Sequence, residues 1–441
     1  MSKFCDGLNL VGKEALPMSK SVSHRPHDGA PVVEFDLASF RGQAESNAAH
    51  ANLRSTCPVA WSDDSGGAWI ASGYDVVAEA FRNWEVFRSA RDVRSIPGPG
   101  GSREMPSTMA IPLEYHARMI PLELDPPVWK PYRRLFANLL RPRAVETLAP
   151  RIKHWVTTFL DDVIETGGCD IVETLTSAVP GAVALEWLGF PEEDWHRMSA
   201  AIHNAAEVTP ESPDLQHYMD ELNWAFHRIE EEVVARRDKP RDDLISIMAN
   251  FELDGELVPL DFAAGMVNLA YAGGVDTTTA ATTAAIVHMH YHPDVRRRLI
   301  EQPELIDSAI EEFLRFYTPV RNEGRTVVAD TELGGCRLRK DDRIILSLIS
   351  ANHDESAFPD SEEFIIDRFP NRNMAFGMGL HRCPGSHLAR AEVKEMLTQI
   401  LERVPDYRIV EDGLREYPYW YAMGGWSTVP IAFTPGTRRG E

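Results

Sequence analysis

Residues 376–385 read Phe-Gly-Met-Gly-Leu-His-Arg-Cys-Pro-Gly, which sets Cys383 immediately before Pro384, Gly385 and an amphipathic stretch to about Arg403. In that stretch Leu388, Val393, Met396, Leu397, Ile400 and Leu401 recur with helical spacing. Proline fits the first turn of a helix, where its missing N–H costs little, so Cys383 is expected at a helix N-terminus. The positive end of the helix dipole and the free N–H groups there favour a thiolate. Gly377 and Gly379 allow a tight turn and a close approach of backbone to something flat and large. A thiolate so presented is a metal ligand or a nucleophile. Against this stand a purely structural cysteine and a zinc site, for which His381-x-Cys383-x3-His387 offers three ligands. Zinc accounts for neither Phe376 nor the glycines.

A second segment, Ala272-Gly273-Gly274-Val275-Asp276-Thr277-Thr278, interrupts an otherwise apolar run. Each glycine costs a helix about 1 kcal/mol against alanine, so two together want a reason. A widened groove with room for a small ligand and a water is one, and the Thr277 hydroxyl and Asp276 carboxylate beside it could then relay protons. Close helix packing through small residues is the plainer alternative, but it leaves Asp276 unexplained. A third pattern, Glu312-Phe313-Leu314-Arg315, places opposite charges at i,i+3. Such a pair is ordinarily a surface ion pair. Here Glu312 falls at the edge of an apolar face made by Leu305, Ile306, Ala309, Ile310 and Phe313, where a buried pair would need a further partner. His288-x-His290-x-His292 is not a metal run, because alternate residues do not share a helix face. Histidines in a last helical turn before Pro293 read instead as dipole partners. No Gly-x-Gly-x-x-Gly stands between a strand and a helix, so a nicotinamide or flavin site is not expected.

The elements that must position these groups are mostly helical. Ala68–Ala71 predicts a short strand leading into a helix over Tyr74–Arg82. Residues 89–123 form an irregular stretch, a lid candidate by length. From about Val128 to Met248 the pattern is helical, broken at Gly167-Gly168, Pro191 and Pro210–Pro213. A long helix is expected over Leu260–Tyr291 and another over Pro303–Phe316. Short strands follow near Thr326–Val328 and Ile344–Leu348, then turn-rich chain over 352–375. Tyr417–Trp426 and Val429–Phe433 read as a β-hairpin.

The chain has 441 residues, 44% hydrophobic and 25% charged, in the range of a globular enzyme with a large core. Residues 1–30 read as a flexible arm and 31–441 as one catalytic domain. Five cysteines, odd in number and far apart, argue against a disulfide framework and for a reducing compartment. Neither a secretory signal nor a membrane anchor is recognisable, so a cytoplasmic location is expected. Forty-five basic against sixty-seven acidic residues give a net charge of -22, which disfavours nucleic acid and anionic lipid as partners.

Phe376-x-x-Gly379-x-His381-x-Cys383-x-Gly385 closely resembles the haem-binding loop of the cytochrome P-450 family, and other motifs follow in that family's order. The resemblance implies a mainly α fold with a minor β region, a triangular helical prism enclosing haem b. It makes Cys383 the axial iron ligand and places Phe376, Gly377 and Gly385 around the cofactor. Asp276 and Thr277 match the oxygen-activation motif, with Asp276 gating proton delivery. Glu312, Arg315 and Arg368 match a structural triad that braces the cysteine loop. Arg133, Arg325 and His381 match propionate partners, joined by Trp129, which stands where many bacterial members carry histidine and which donates one bond without charge.

The implied reaction is monooxygenation of a small to medium hydrophobic substrate by O2. Electrons would come from an acidic ferredoxin and its NAD(P)H-dependent reductase. Lys130, Arg133, Arg134, Arg141, Arg143, Arg372 and Arg382 offer a basic patch for that donor. Pocket positions would be the 89–123 stretch with Tyr115 and His116, Ala201–Ala206, Leu269, Ala272, Val320–Asn322 and Met423–Trp426. A non-oxygenase haem protein on the same fold, an isomerase, dehydratase or sensor, is the alternative, and a cysteine hydrolase lacks any acid/base constellation.

Overall fold

The computed structural model describes residues 30–35, 43–63, 67–89, 119–207, 212–417 and 423–440. The expected arm at 1–30 therefore lies almost wholly outside the described residues, as do residues 90–118 of the irregular stretch, with Tyr115 and His116.

Helix α1 (Gln43–Thr56) precedes a hairpin of β1 (Val59–Ser62) and β2 (Ala68–Ala71). Next come α2 (Tyr74–Arg82) and β3 (Phe87–Arg88), with both bounds of β2 and α2 as the sequence predicts. The helical half holds α3 (Trp129–Leu139), α4 (Pro142–Val163), the short strand β4 (Gly168–Asp170) and a π turn over Val172–Thr176. It continues through α5 (Ala178–Leu188), α6 (Glu192–Glu207), α7 (Leu215–Asp238) and α8 (Leu244–Ala249). A two-strand ribbon, β5 (Glu252–Leu253) and β6 (Glu256–Leu257), leads into α9 (Leu260–Tyr291), the long helix at its expected bounds.

Helix α9 is apolar all round, the signature of a helix buried on every side. Its first part, Phe262 to Val275, packs with α3, α5, α7 and α8 in one core. Its last part, Ala281 to Met289, packs with α4 and the C-terminal helices in another. Asp276, Thr277 and Thr278 sit between the stretches of α9 that join the two cores, and Gly273 and Gly274 just before them belong to neither.

Beyond α9 the sequence reading missed a helix, α10 (Pro293–Glu301): Pro293 ends α9 but occupies the first turn of α10, a position proline favours. Helix α11 (Ile306–Tyr317) follows a single 3-10 turn over Pro303–Leu305. Strand β7 (Asn322–Val327), a small hairpin of β8 (Thr331–Leu333) and β9 (Cys336–Leu338), β10 (Arg343–Ser347) and α12 (Leu348–Asn352) come next. The main sheet runs β1-β2-β10-β7-β3, with β10 parallel to β2 and antiparallel to β7. After α13 (Ser386–Arg403) come β11 (Arg408–Ile409), β12 (Arg415–Glu416), β13 (Trp426–Thr428) and β14 (Pro430–Ala432). The expected C-terminal hairpin is corrected here. β13 pairs with β12, whereas β14 pairs with β11 and with β4 from the helical half. Pro430 cannot donate to a ladder, which suits a strand end.

No described helix is long and apolar enough to cross a membrane. The four described cysteines form no disulfide. Of the histidine run, His288 is a core residue: burial pushes its pKa down to about 3, so it stays neutral, accepting or donating to the Tyr317 hydroxyl at 2.9 Å. It is therefore no cationic dipole partner.

Candidate active site

The Glu312–Arg315 pair is fully buried rather than a surface pair. Arg315 donates to both Glu312 oxygens at 2.8 Å and to the carbonyls of Asn352, Ser361 and Glu363. Arg368 adds a bond to Glu312 Oε1 at 3.1 Å and further bonds to the carbonyls of Pro359, Asp360 and Glu363. Backbone that forms no regular ladder over 352–375 thus finds its partners in two guanidinium groups, which satisfies the demand that buried polar backbone be paired. The Asn352 side chain accepts from the Met374 N–H at 2.6 Å, carrying the brace to the edge of the cysteine loop.

That loop closes on itself through the Cys383 N–H to the Phe376 carbonyl and the Gly377 N–H to the Met374 carbonyl, both 2.8 Å. Gly377 and Gly379 have φ of 64° and 69°, the left-handed region. A Cβ on Gly379 would lie 2.4 Å from the Phe81 carbonyl oxygen, so this glycine lets the loop pack on the end of α2. Arg390 of α13 lies over the Phe376 ring at 4.4 Å. One expectation is corrected: α13 starts at Ser386 with Gly385 as its N-cap, so Pro384 precedes the helix instead of filling its first turn. Burial pushes the Cys383 thiol up, and the Gly385 N–H with Arg133 and Arg382 only partly oppose it. The helix end alone does not make the thiolate; a coordinated metal deprotonates a thiol outright.

Four groups named from the sequence gather near this thiol. Trp129, the first residue of α3, meets the His381 ring edge-on at 5.8 Å. Arg133, one turn on, lies 6.0 Å from the Trp129 ring and donates to the Arg382 carbonyl. Arg325 of β7 is buried, stacks 5.2 Å from Phe81, and acts with Arg133 on the His381 charge. Asp125 Oδ1 stands 3.6 Å from His381 Nε2, an ion-pair distance rather than a hydrogen bond. Burial lowers the His381 pKa and Asp125 opposes that. Trp129 Nε1 and His381 Nε2 are both buried without a hydrogen-bond partner among the described residues. Such orphans cost free energy unless something accepts from them. Two carboxylates on a bound molecule would.

On α9, Gly273 is exposed although most of its helix is buried. A Cβ at Gly274 would meet nothing within 4 Å, and one at Gly273 only Leu269 Cδ1 at 3.5 Å. The helix is assigned unbroken from Leu260 to Tyr291, and the Thr277 hydroxyl donates back to the Gly273 carbonyl at 3.1 Å. The space therefore comes from missing side chains and not from a widened helix. Val320 bridges Met423, the Gly424 N–H bonds the Pro319 carbonyl at 2.9 Å, and Gly425 packs against Ala280 of α9. Two of the expected pocket segments thus meet on α9. These features fit a haem: a thiol, orphaned donors with guanidinium groups for its propionates, and an open helix face.

Two titratable residues escape the sequence reading. His203 lies within the Ala201–Ala206 stretch, yet a lone histidine there gives no sign of its partner, Asp276, 3.2 Å away. Glu392 is buried on α13 with its pKa pushed up to about 8 by burial, partly offset by the Thr278 hydroxyl. A lone acid among Val393, Met396 and Leu397 is the only signal for it. Among the described residues no cluster of three or more His, Cys, Asp or Glu side chains could hold a metal ion, which removes the zinc alternative as a cluster site.

The profile described as Cytochrome P-450 matches residues 214–404. A steroid C26-monooxygenase from Mycobacterium tuberculosis is 31% identical over 413 residues, covering 92% of this chain and 98% of the relative. A mycinamicin IV hydroxylase/epoxidase from Micromonospora griseorubida is 30% identical, covering 78% of this chain and 83% of the relative. Among solved structures, a Mycobacterium marinum cytochrome P-450 in complex with pseudoionone superposes with a TM-score of 0.80 at 26% identity, covering 93% of this chain and 100% of that one. With that likeness joined to the thiol, the orphaned donors and the open face of α9, the chain belongs to the cytochrome P-450 family of haem-thiolate monooxygenases.

Proposed function

We propose that this chain hydroxylates a hydrophobic substrate of terpenoid or larger size above a haem b held through Cys383. The orphaned pair of buried donors, Trp129 Nε1 and His381 Nε2, carries the assignment of the cofactor's polar edge. Arg133 and Arg325 supply charge beside them, and Trp129 in place of a charged residue makes its share a neutral bond. Phe376, Gly377 and Gly385 belong to the loop that would hold the haem beside Cys383. When bound, the haem supplies the redox chemistry by which O2 yields one atom to the substrate and one to water. The protein's part is then to exclude water, hold the substrate against α9, and move protons through Asp276 and Thr277. Leu269, Ala272, Val320, Met423 and Trp426 give the substrate wall its apolar character. Relatives named for a steroid and for mycinamicin IV, and a solved neighbour in complex with pseudoionone, support a bulky apolar substrate.

Addition of CO to the reduced protein should give the strongly red-shifted Soret band of a thiolate-ligated haem, lost in Cys383→Ala. A steroid and terpenoid panel should then contain compounds that shift the iron from low to high spin. A normal CO band with no electron-driven product from any spin-shifting compound would return the non-oxygenase reading.

The electron donor would dock on the cysteine side. Lys130, Arg134, Arg141, Arg143, Arg372 and Arg382, which the family resemblance sets in segments flanking that side, are exposed, while Arg133 donates to the Arg382 carbonyl. A basic rim on a chain of net charge -22 would steer an acidic ferredoxin and suppress other encounters. Arg134→Glu or Arg382→Glu should slow reduction by the ferredoxin on the order of tenfold at low salt and flatten its salt dependence. Stopped-flow reduction at two ionic strengths decides it, and an unchanged rate and slope in both variants would move the docking face elsewhere.

A further inference from the structure

His203 reaches from α6 into the groove and touches two acceptors at once. Its Nδ1 lies 3.2 Å from Asp276 Oδ1, and its Nε2 lies 3.3 Å from the Ser427 carbonyl oxygen in the middle of β13. A carbonyl only accepts, so a hydrogen bond to Ser427 requires a hydrogen on Nε2. With Nε2 protonated, the neutral imidazole would turn the lone pair of Nδ1 toward a carboxylate, which repels it. A proton between Nδ1 and Oδ1 removes the conflict. The side chains of His203 and Asp276 are 13% and 8% exposed, so the pair is shielded from bulk water but not sealed from it.

We infer that His203 is a positioning and proton-supplying residue for Asp276: the pair holds one transferable proton at the groove of α9 and is refilled from solvent. This rests on the reading that Asp276 delivers protons. In the forward step the Nδ1–H bond breaks and an Oδ1–H bond forms, leaving a neutral imidazole that keeps its Nε2–H on Ser427. Asp276 then gives that proton up toward Thr277 and returns to carboxylate. His203 Nδ1 then regains a proton delivered by solvent, which restores the starting pair. Each cycle of the pair moves one proton and no electron, and the electrons of the reaction come from the ferredoxin chain.

The groups facing the pair fit this role. From α9, Tyr271 is buried and its hydroxyl donates to the Met198 carbonyl of α6. Burial first and the Asp276 charge second hold its phenol well above the usual range, so it stays neutral. Behind β12, the Tyr417 ring stands edge-on to His203 at 6.1 Å. One turn before His203 on α6 stand Ser199 and Ala200, which carry no charge. The exposed Glu416 of β12 acts on the buried Arg321.

Nitrogen-15 spectra of histidine-labelled holoenzyme in its diamagnetic ferrous CO form test the proton directly. The His203 signal, assigned by its loss in His203→Gln, should show both ring nitrogens protonated near neutral pH. In Asp276→Asn its titration midpoint should fall by about one pH unit or more. A single protonated nitrogen near neutral pH would overturn the inference. In turnover, His203→Gln should lower product formed per NAD(P)H on the order of ten- to a hundredfold. Substrate Kd and Tm should hold, and His203→Lys should recover much of the loss. A drop in Kd affinity and Tm with unchanged coupling would make His203 a tie between α6 and α9 and nothing more. If His203→Gln is silent while Asp276→Asn uncouples, the inference alone fails. If Asp276→Asn is silent as well, the reading of Asp276 fails with it.

Discussion

Glu312→Ala should destabilise the fold by about 3 to 5 kcal/mol and leave the purified protein deficient in haem. Glu312 and Arg315 are both fully buried. The carboxylate accepts from Arg315 twice, from Arg368, from the Ile365 N–H at 2.9 Å and from Asn371 Nδ2 at 3.0 Å. Five donors therefore converge on two oxygens, and removing the oxygens leaves two guanidinium groups with carbonyls only. An unpaired buried charge costs far more than the pair contributes when intact. The loss would fall on residues 352–375, whose carbonyls those arginines hold, and through Asn352 and Met374 on the loop that presents Cys383. Denaturant midpoints and the haem-to-protein absorbance ratio check both parts. The neighbouring Glu311–Arg390 pair is a useful control, because its side chains are each 28% exposed and its loss should cost only about 1 kcal/mol or less. Equal effects at Glu311 and Glu312 would sink the argument.

The contrast between those two glutamates shows what the sequence can and cannot convey. Glu312 and Arg315 at i,i+3 suggest a pair, but neither their burial nor the Arg368 bond is written in their spacing. The resemblance supplied that link, and the geometry bears it out. Helix α9 was legible to the residue because an apolar run between Pro259 and Pro293 admits little else. Helix α10 was missed because Pro293 was read as a stop when it is also a start. Strand β14 was assigned to a hairpin because local pattern cannot foresee a partner in β4, more than two hundred and fifty residues earlier in the chain. The cysteine loop was legible as a motif, and only its helix start slipped by two residues. His203 and Glu392 were hidden for one shared reason. Each is a single polar residue in an apolar helical stretch, and its meaning comes from a contact with α9 that no period or spacing records.

Glu392→Gln should flatten the pH dependence of stability that the wild-type protein shows between about pH 5 and pH 8, a difference of about 3 kcal/mol across that span. Glu392 is 3% exposed on α13, and burial pushes its carboxyl from 4.5 up to about 8, with the Thr278 hydroxyl pulling the other way. In that window the folded protein keeps a proton on Glu392 that the unfolded chain has released. The native state binds more protons, so stability falls as pH rises. Below about 4.5 both states are protonated and the difference vanishes; above about 8 the penalty is fully present and constant. Glutamine matches the neutral acid in shape, since its amide can donate and accept as the carboxylic acid does. The variant should therefore equal the wild type near pH 5 and exceed it near pH 8. Chemical-unfolding midpoints at several pH values measure the divergence, and parallel curves for the two proteins would mean that Glu392 is ionised in the fold. An acid kept neutral between α13 and α9 also lets the helix that follows Cys383 pack against Thr278 without a fixed charge one residue from Thr277. On the reading proposed above, the proton traffic of the groove would then fall to the His203–Asp276 side of α9.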